Sequence, residues 1–498
     1  MTVRRLFTII FAISLFAMPI TEALDNDMWW HLRTGEAILR DGIPRQDIFS
    51  FTVPHHQWIT HEWLSEVVMW GVYQVAGFPG LILAFAAMIA FAFWLVYLRC
   101  VGRPYLAAFL VVLAGMAAAV VWGVRPQMFN VFFLSLYIHI IEGFKAQRAA
   151  LLAAGEPPTA ASNAFPRRFL LLPLLSVLWV NFHSGYLLGV VLLGTYMVGE
   201  ALQLYAGQRD ERGVDWWGVR QLAIATGLTF LASLLNPNGY ELWIYPFLTL
   251  GSDVMQTRIV EWWSPNFHDI YIWPFALLGA VGVASLALSR KRPSWTDLLL
   301  FMGTGAAGLI SVRHIPIFAV TASPIIARHL LSALAGSRVY PLLSGEQPEE
   351  PPNPRMMPIN LLLIGLMGLF VMVHFTSVLQ KMPESLAKRY PVAAVDFLEQ
   401  EGLAEKRIYN SYNWGGYLIW RGVPVFVDGR ADVYGDAFLT LYFKGFGGET
   451  DWYKPLDDYD ADYVLMEPSR GLVTFLSLSE EWREIYRDKV AVIFERVK

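Results

Sequence analysis

Leu24-Asp25-Asn26-Asp27-Met28-Trp29-Trp30-His31-Leu32 comes just after the first apolar run of the chain and sets two carboxylates, two indoles and an imidazole where that run ends. The run opens Met1-Thr2-Val3-Arg4-Arg5 and stays apolar to Ile20. Arg4 and Arg5 hold the amino end in the cytosol by the positive-inside rule. Leu24 and the residues after it therefore face the opposite side, whether the run is a retained span, the favoured reading, or a cleaved signal. Two aspartates with one residue between them can share a divalent cation such as Mg2+ or Mn2+, or one can act as general base while the other orients it. Taken alone, the pair does no more than end a hydrophobic run, with Trp29 and Trp30 as an interfacial aromatic belt.

The rest of the chain decides what kind of protein carries this stretch. Of 498 residues, 55% are hydrophobic, more apolar surface than one soluble core of this length can hide, so the bilayer is the solvent. Further apolar runs lie at 80–98, 104–122, 128–144, 169–181, 185–205, 221–235, 271–288, 295–310, 315–334 and 360–378, making about eleven spans with the first. The formal charge of -4 offers no basic field for counterion release, which excludes nucleic acid as a partner. A single cysteine, Cys100, excludes an intrachain disulfide and cysteine-based metal centres.

Threading these spans from a cytosolic amino end requires every second connection to be rich in Lys and Arg. Those connections hold Arg99 and Arg103; Lys145, Arg148, Arg167 and Arg168; Arg209, Arg212 and Arg220; Arg290, Lys291 and Arg292; then Arg338 and Arg355. The opposite connections read Arg125-Pro126-Gln127, Asn181-Phe182-His183-Ser184-Gly185, Asn236-Pro237-Asn238-Gly239-Tyr240, Glu261-Trp262-Trp263 and Arg313-His314-Ile315-Pro316. Polar groups gathered at span ends on one side imply a shared hydrated cavity there.

The expected organisation is a transmembrane domain over 1–378, with a first external loop at 24–79 whose residues 61–76 form an amphipathic interfacial helix. A flexible, Pro-rich cytosolic linker occupies 335–357. A small soluble α/β domain outside the cytosol fills 379–498: a helix over 391–401 stopped by Gly402, then strands near 407–409, 423–427, 463–466 and 490–494.

An acidic motif straight after the first span, succeeded by a loop with amphipathic helices, many spans and a soluble C-terminal domain, resembles the GT-C superfamily of integral-membrane glycosyltransferases, of protein-mannosyltransferase or oligosaccharyltransferase type. The resemblance implies transfer of a sugar from a polyprenyl-phosphate carrier to a glycan, lipid or protein acceptor. It implies that Asp25 or Asp27 is the base for the acceptor hydroxyl, or holds a divalent cation. The leaving lipid phosphate then needs a cationic partner, for which Arg125 and Arg313 are the candidates, unless they pair with Glu261, Asp253 or the C-terminal domain. His31, His61, Glu62, His183 and His314 are secondary candidates, and Asp47 reads as a solvated loop residue. Asn410-Ser411-Tyr412-Asn413-Trp414-Gly415-Gly416-Tyr417, with Asp428-Gly429-Arg430 after it, is similar to the Trp-Trp-Asp region of oligosaccharyltransferases, which implies that Asn413, Trp414, Tyr417, Asp428 and Arg430 stand on the acceptor side. Its glycines serve equally well as turn formers. The implied location is a bacterial inner membrane with the C-terminal domain in the periplasm; an endoplasmic reticulum membrane has the same polarity. The competing readings are a transporter or flippase, disfavoured by few charges inside spans and no repeated halves, and a noncatalytic component of a polysaccharide assembly machinery.

Overall fold

A computed structural model describes residues 1–155, 165–208, 211–346 and 351–497; Arg209 and linker residues 347–350 lie outside them. Among the described residues, six helices are long and apolar enough to cross a membrane: Trp63–Arg99, Met128–Ala153, Ser184–Tyr205, Ile270–Leu288, Val312–Leu334 and Pro354–Arg389. Tyr105–Val121 and Trp295–Ile310 are shorter apolar helices. Val3–Ala17, Leu171–Phe182 and Trp216–Ala232 supply helices at the remaining expected spans. The chain is a polytopic integral membrane protein, because in hydrocarbon only helices satisfy their own backbone polar groups. The first helix buries Phe11 and Leu15, and Phe11 lies 4.8 Å from the ring of Tyr97. Pro354–Arg389 exposes Leu362, Leu366 and Phe370, as a lipid-facing helix does.

The expected amphipathic helix at 61–76 is the opening part of Trp63–Arg99. It bends away from the span at Gly77, whose φ of 60° only glycine adopts without strain. Pro79 then supplies no backbone N–H across the bend. Before it, the helix Met28–Asp41 crosses so closely that a Cβ on Gly35 would overlap the carbonyl of Glu66.

On the basic side of the threading, Lys145 Nζ lies 2.5 Å from Glu200, Arg148 2.6 Å from Asp215 and Arg328 2.8 Å from Asp297. Cations there are thus neutralised in place. In the linker, Tyr340–Ser344 is a short helix, and the Leu343 carbonyl faces Gly102 closely enough to exclude a side chain there.

The C-terminal domain begins with the helix Val392–Gln400, with Gly402 after it at φ 67°. Its sheet contains β1 (Ile408–Asn410), β2 (Tyr463–Met466), β3 (Trp482–Arg487) and β4 (Val492–Arg496) in the order β1-β2-β4-β3. β1 and β2 are parallel; the other pairs are antiparallel. The strand expected at 423–427 does not join this sheet. The segment forms no strand: Val425 exchanges backbone hydrogen bonds with the loop after the first helix, accepting from Phe51 N–H at 3.2 Å and donating to the Phe49 carbonyl at 3.2 Å, while Phe426 N–H donates to the side-chain oxygen of Asn410 in β1 at 2.8 Å. An apolar run shows that a segment is buried, not which backbone it pairs with. The strand Trp482–Arg487, absent from the expectation, buries only Trp482 and so lacks the apolar signal.

Candidate active site

A cavity of about 900 Å³ opens between the membrane domain and the C-terminal domain. The segment between the first helix and Trp63–Arg99 contributes Asp25, Asp27, His31, His61 and Glu62 to its wall. Span ends add Arg125, His183, Glu261 and Arg313, and the C-terminal domain adds Tyr412, Asn413 and Asp432.

The acidic stretch forms a tight turn. Asp25 Oδ1 accepts the Asp27 N–H at 3.0 Å, and Trp30 Nε1 donates to Asp27 Oδ1 at 3.1 Å. Arg125 sits 3.5 Å from Asp25 and 2.5 Å from Glu261. Burial first, then the neighbouring Asp25 charge, push the Asp27 carboxyl up from 3.8 to about 7, against the opposing pull of Arg125. Burial works against the Arg125 charge, but Asp25 and Glu261 outweigh it and hold that guanidinium above its ordinary value.

The C-terminal domain rests on this turn through glycines. A Cβ on Gly429 would overlap Asp27 Oδ1, and one on Gly416 would overlap the Asn26 carbonyl oxygen. Asn26 Oδ1 also accepts the Tyr390 hydroxyl at 2.9 Å. Gly429→Ala is therefore expected to displace the Asp27 carboxylate, unseat the C-terminal domain and lower the unfolding midpoint, which thermal melts of the alanine variant check.

Beside the turn, Glu62 is ringed by imidazoles: His61 Nε2 at 3.2 Å, His183 Nε2 at 3.1 Å and His31 Nε2 at 3.5 Å. His183 Nδ1 accepts the Gly185 N–H at 2.9 Å, so its proton sits on Nε2 and points at Glu62. Burial lowers His183 to about 3 and His31 to about 3. Burial would also raise Glu62, but His61 and His183 hold it well below the usual carboxylate range. His61, opposed by burial but facing Glu62, is raised. The result is a carboxylate held among three imidazoles.

Arg313 stacks on Trp262, 4.2 Å from the ring centroid, and has no ion pair or hydrogen bond among the described residues. His314 also lines the cavity, with Nδ1 buried and unpartnered. Trp414, Tyr417 and Asp428 do not line it. Trp414 Nε1 donates to the Arg389 carbonyl at 3.1 Å, and Tyr417 packs on Trp29 and Tyr390. Arg430 reaches the cavity wall, but its guanidinium is held between Asp47 at 2.6 Å and Asp428 at 2.6 Å. It is sandwiched near the rings of Phe49 and Trp58. Asp47, expected to be solvated, is only 4% exposed, because it neutralises an arginine 383 positions away in sequence, a separation no local pattern reports. Asp432, Arg258 and Arg470 also line the cavity and were not singled out from the sequence, since each sits in an unremarkable helical or loop context.

A protein metal site needs several donors converging on one point. Among the described residues, the His, Cys, Asp and Glu donors that converge closely enough for one ion belong to His31, Glu62 and Glu66, within 4.8 Å of one another. Asp25 and Asp27 gather no third such donor. Glu66 lies one helical turn beyond Glu62, and that spacing was the available signal.

Neither a family model nor a curated protein sequence matches the chain. Solved structures do. The Archaeoglobus fulgidus oligosaccharyltransferase tethered to an acceptor peptide containing the NVT sequon is 11% identical, aligned over 100% of this chain and 74% of that one, with a TM-score of 0.55. AglB of Archaeoglobus fulgidus, in complex with an inhibitory peptide and a dolichol-phosphate, is 12% identical over 95% of this chain and 70% of that one, at 0.55. This chain has a GT-C-like fold. ArnT from Cupriavidus metallidurans in the apo state is 15% identical over 99% of this chain and 97% of that one, at 0.49. Within the GT-C-like frame, the Asp25–Asp27 turn follows the first helix and packs against Gly416 and Gly429 of the C-terminal domain.

Proposed function

We propose that the chain is a membrane glycosyltransferase that moves a sugar from a polyprenyl-phosphate carrier to an extracytoplasmic hydroxyl-bearing acceptor. The observation that carries this reading is the placement of Asp27, Arg125 and Arg313 on one cavity at the junction of the two domains. A GT-C-like neighbour solved with a dolichol-phosphate supports the carrier class. Asp27 takes the proton of the acceptor hydroxyl as that oxygen bonds to the anomeric carbon. The bond from that carbon to the carrier phosphate breaks, and the phosphate leaves with the electron pair. Arg313, free of carboxylate partners, receives the charge growing on the phosphate oxygens. Arg125, already held by Asp25 and Glu261, fixes the acidic turn.

The charge parity of the connections supports a cytosolic amino end and a C-terminal domain on the opposite face, and a bacterial inner membrane is the site proposed with that polarity. Mg2+ or Mn2+ at Asp25 and Asp27 takes no part in these steps. The test is transfer from a radiolabelled polyprenyl-phosphate sugar in membranes containing the protein; absence of any transfer by the intact chain across a panel of carriers would sink the reading. A base must be ionised to act, so with Asp27 near 7 the rate is expected to rise with pH. It should be about tenfold higher near pH 8 than near pH 6, then level off. A rate profile flat over that interval would remove Asp27 from the base role.

A further inference from the structure

The crossing of Met28–Asp41 over the start of Trp63–Arg99 brings together side chains far apart in sequence. The helices touch backbone to backbone at Gly35 and Glu66. His31 lies one turn before Gly35, and Glu62 one turn before Glu66, so all three side chains converge at one crossing. His31 Nδ1 is 3.0 Å from Glu66 Oε1, and His31 Nε2 is 3.5 Å from Glu62 Oε2. His31 is 3% exposed, Glu62 8% and Glu66 1%.

Two features of this cluster point to a ligand. Glu66 Oε2 is buried without any hydrogen-bond partner, a state that costs free energy unless something fills it. Two carboxylates also stand one turn apart and buried, beside an imidazole that supplies a lone pair. We propose that His31, Glu62 and Glu66 bind one divalent transition-metal ion, at a site distinct from the Asp25–Asp27 pair. A dication balances two carboxylates. Glu62 Oε1 is taken by His61 and His183, which orients the carboxylate and leaves Oε2 for the ion, as outer hydrogen bonds orient metal ligands elsewhere. One nitrogen and carboxylate oxygens favour Zn2+ or Mn2+ over Mg2+ and Ca2+. His31 and Glu62 both line the cavity, so an ion held there is reached from it.

The site does not depend on the sugar-transfer reading, and its test reads metal, not turnover. The full-length protein in detergent is stripped with a chelator and titrated with Zn2+, and separately with Mn2+. Bound metal is counted by elemental analysis and affinity by calorimetry. The expected result is one equivalent bound, with affinity weakened at least tenfold in Glu66→Gln and in His31→Asn, and unchanged in Asp25→Asn. Lack of stoichiometric binding by the unaltered protein overturns the site. So does binding indifferent to Glu66→Gln, or binding lost in Asp25→Asn. Glu66→Gln conserves shape and decides the matter if the His31 variant fails to fold, as judged by its metal-free melting midpoint.

Discussion

Asp27→Asn is expected to lower sugar transfer by about 10²- to 10⁴-fold, the range over which a positioned general base contributes. Asparagine keeps the shape and still accepts the Trp30 indole N–H, so the C-terminal domain should stay seated on Gly429 while proton abstraction is lost. The same substitution should stabilise the protein at higher pH. The Asp27 pKa is raised from 3.8 to about 7, so the folded protein holds this proton more tightly than the unfolded chain. That contribution is complete below the unfolded value and is lost as pH rises through about 7. Asparagine has no such loss. Melting midpoints of wild type and variant, measured from about pH 5 to about pH 8, should therefore diverge in favour of the variant as pH rises. Full activity in the variant would end the base assignment; loss of activity with a collapsed melting midpoint at every pH would assign the residue to structure.

Arg430→Met is expected to produce the largest loss of stability. Arg430 is 2% exposed, Asp47 4% and Asp428 0%. Without the guanidinium, two carboxylates face each other away from water, and breaking such a buried group by removing one partner costs about 3–5 kcal/mol. Asp428 also accepts the Tyr434 hydroxyl at 2.7 Å, so its charge is held in place rather than free to swing out. The triad joins the loop after the first helix to the C-terminal domain. Its loss should therefore loosen the cavity as well as lower the unfolding midpoint tracked by tryptophan fluorescence. Adding Asp47→Asn and Asp428→Asn to Arg430→Met should recover much of that midpoint, since it removes the uncompensated charges. Absence of recovery would assign the effect to lost packing against Phe49 and Trp58 instead.

Much of the architecture was legible because the bilayer enforces a simple rule. Runs such as 271–288 and 315–334 must be helical in hydrocarbon, whatever they pack against. Gly402 likewise marks a helix end that depends only on local backbone conformation. Asp25, Asp27, Arg125 and Arg313 were legible as candidates because charge at a span end is conspicuous against apolar neighbours. Segment 423–427 was misplaced, since hydrogen-bond partners of a strand are chosen by tertiary contact. Glu66 was overlooked because its importance arises only when His31, 35 positions earlier, swings across at the Gly35 crossing.

The sequence by itself determined that this chain lives in a membrane, that its polar corners fall on one side, and that an acidic turn comes directly after the first apolar run. Those properties are set by hydropathy, span parity and nearest neighbours, each of which acts over a few residues or a single helix. Only the tertiary structure decided that Gly416 and Gly429 are seats for Asn26 and Asp27, that Asp47 neutralises Arg430, and that Glu62 lies among three imidazoles. These depend on close approach between segments distant in the chain, where the shape and charge of one surface meet those of another.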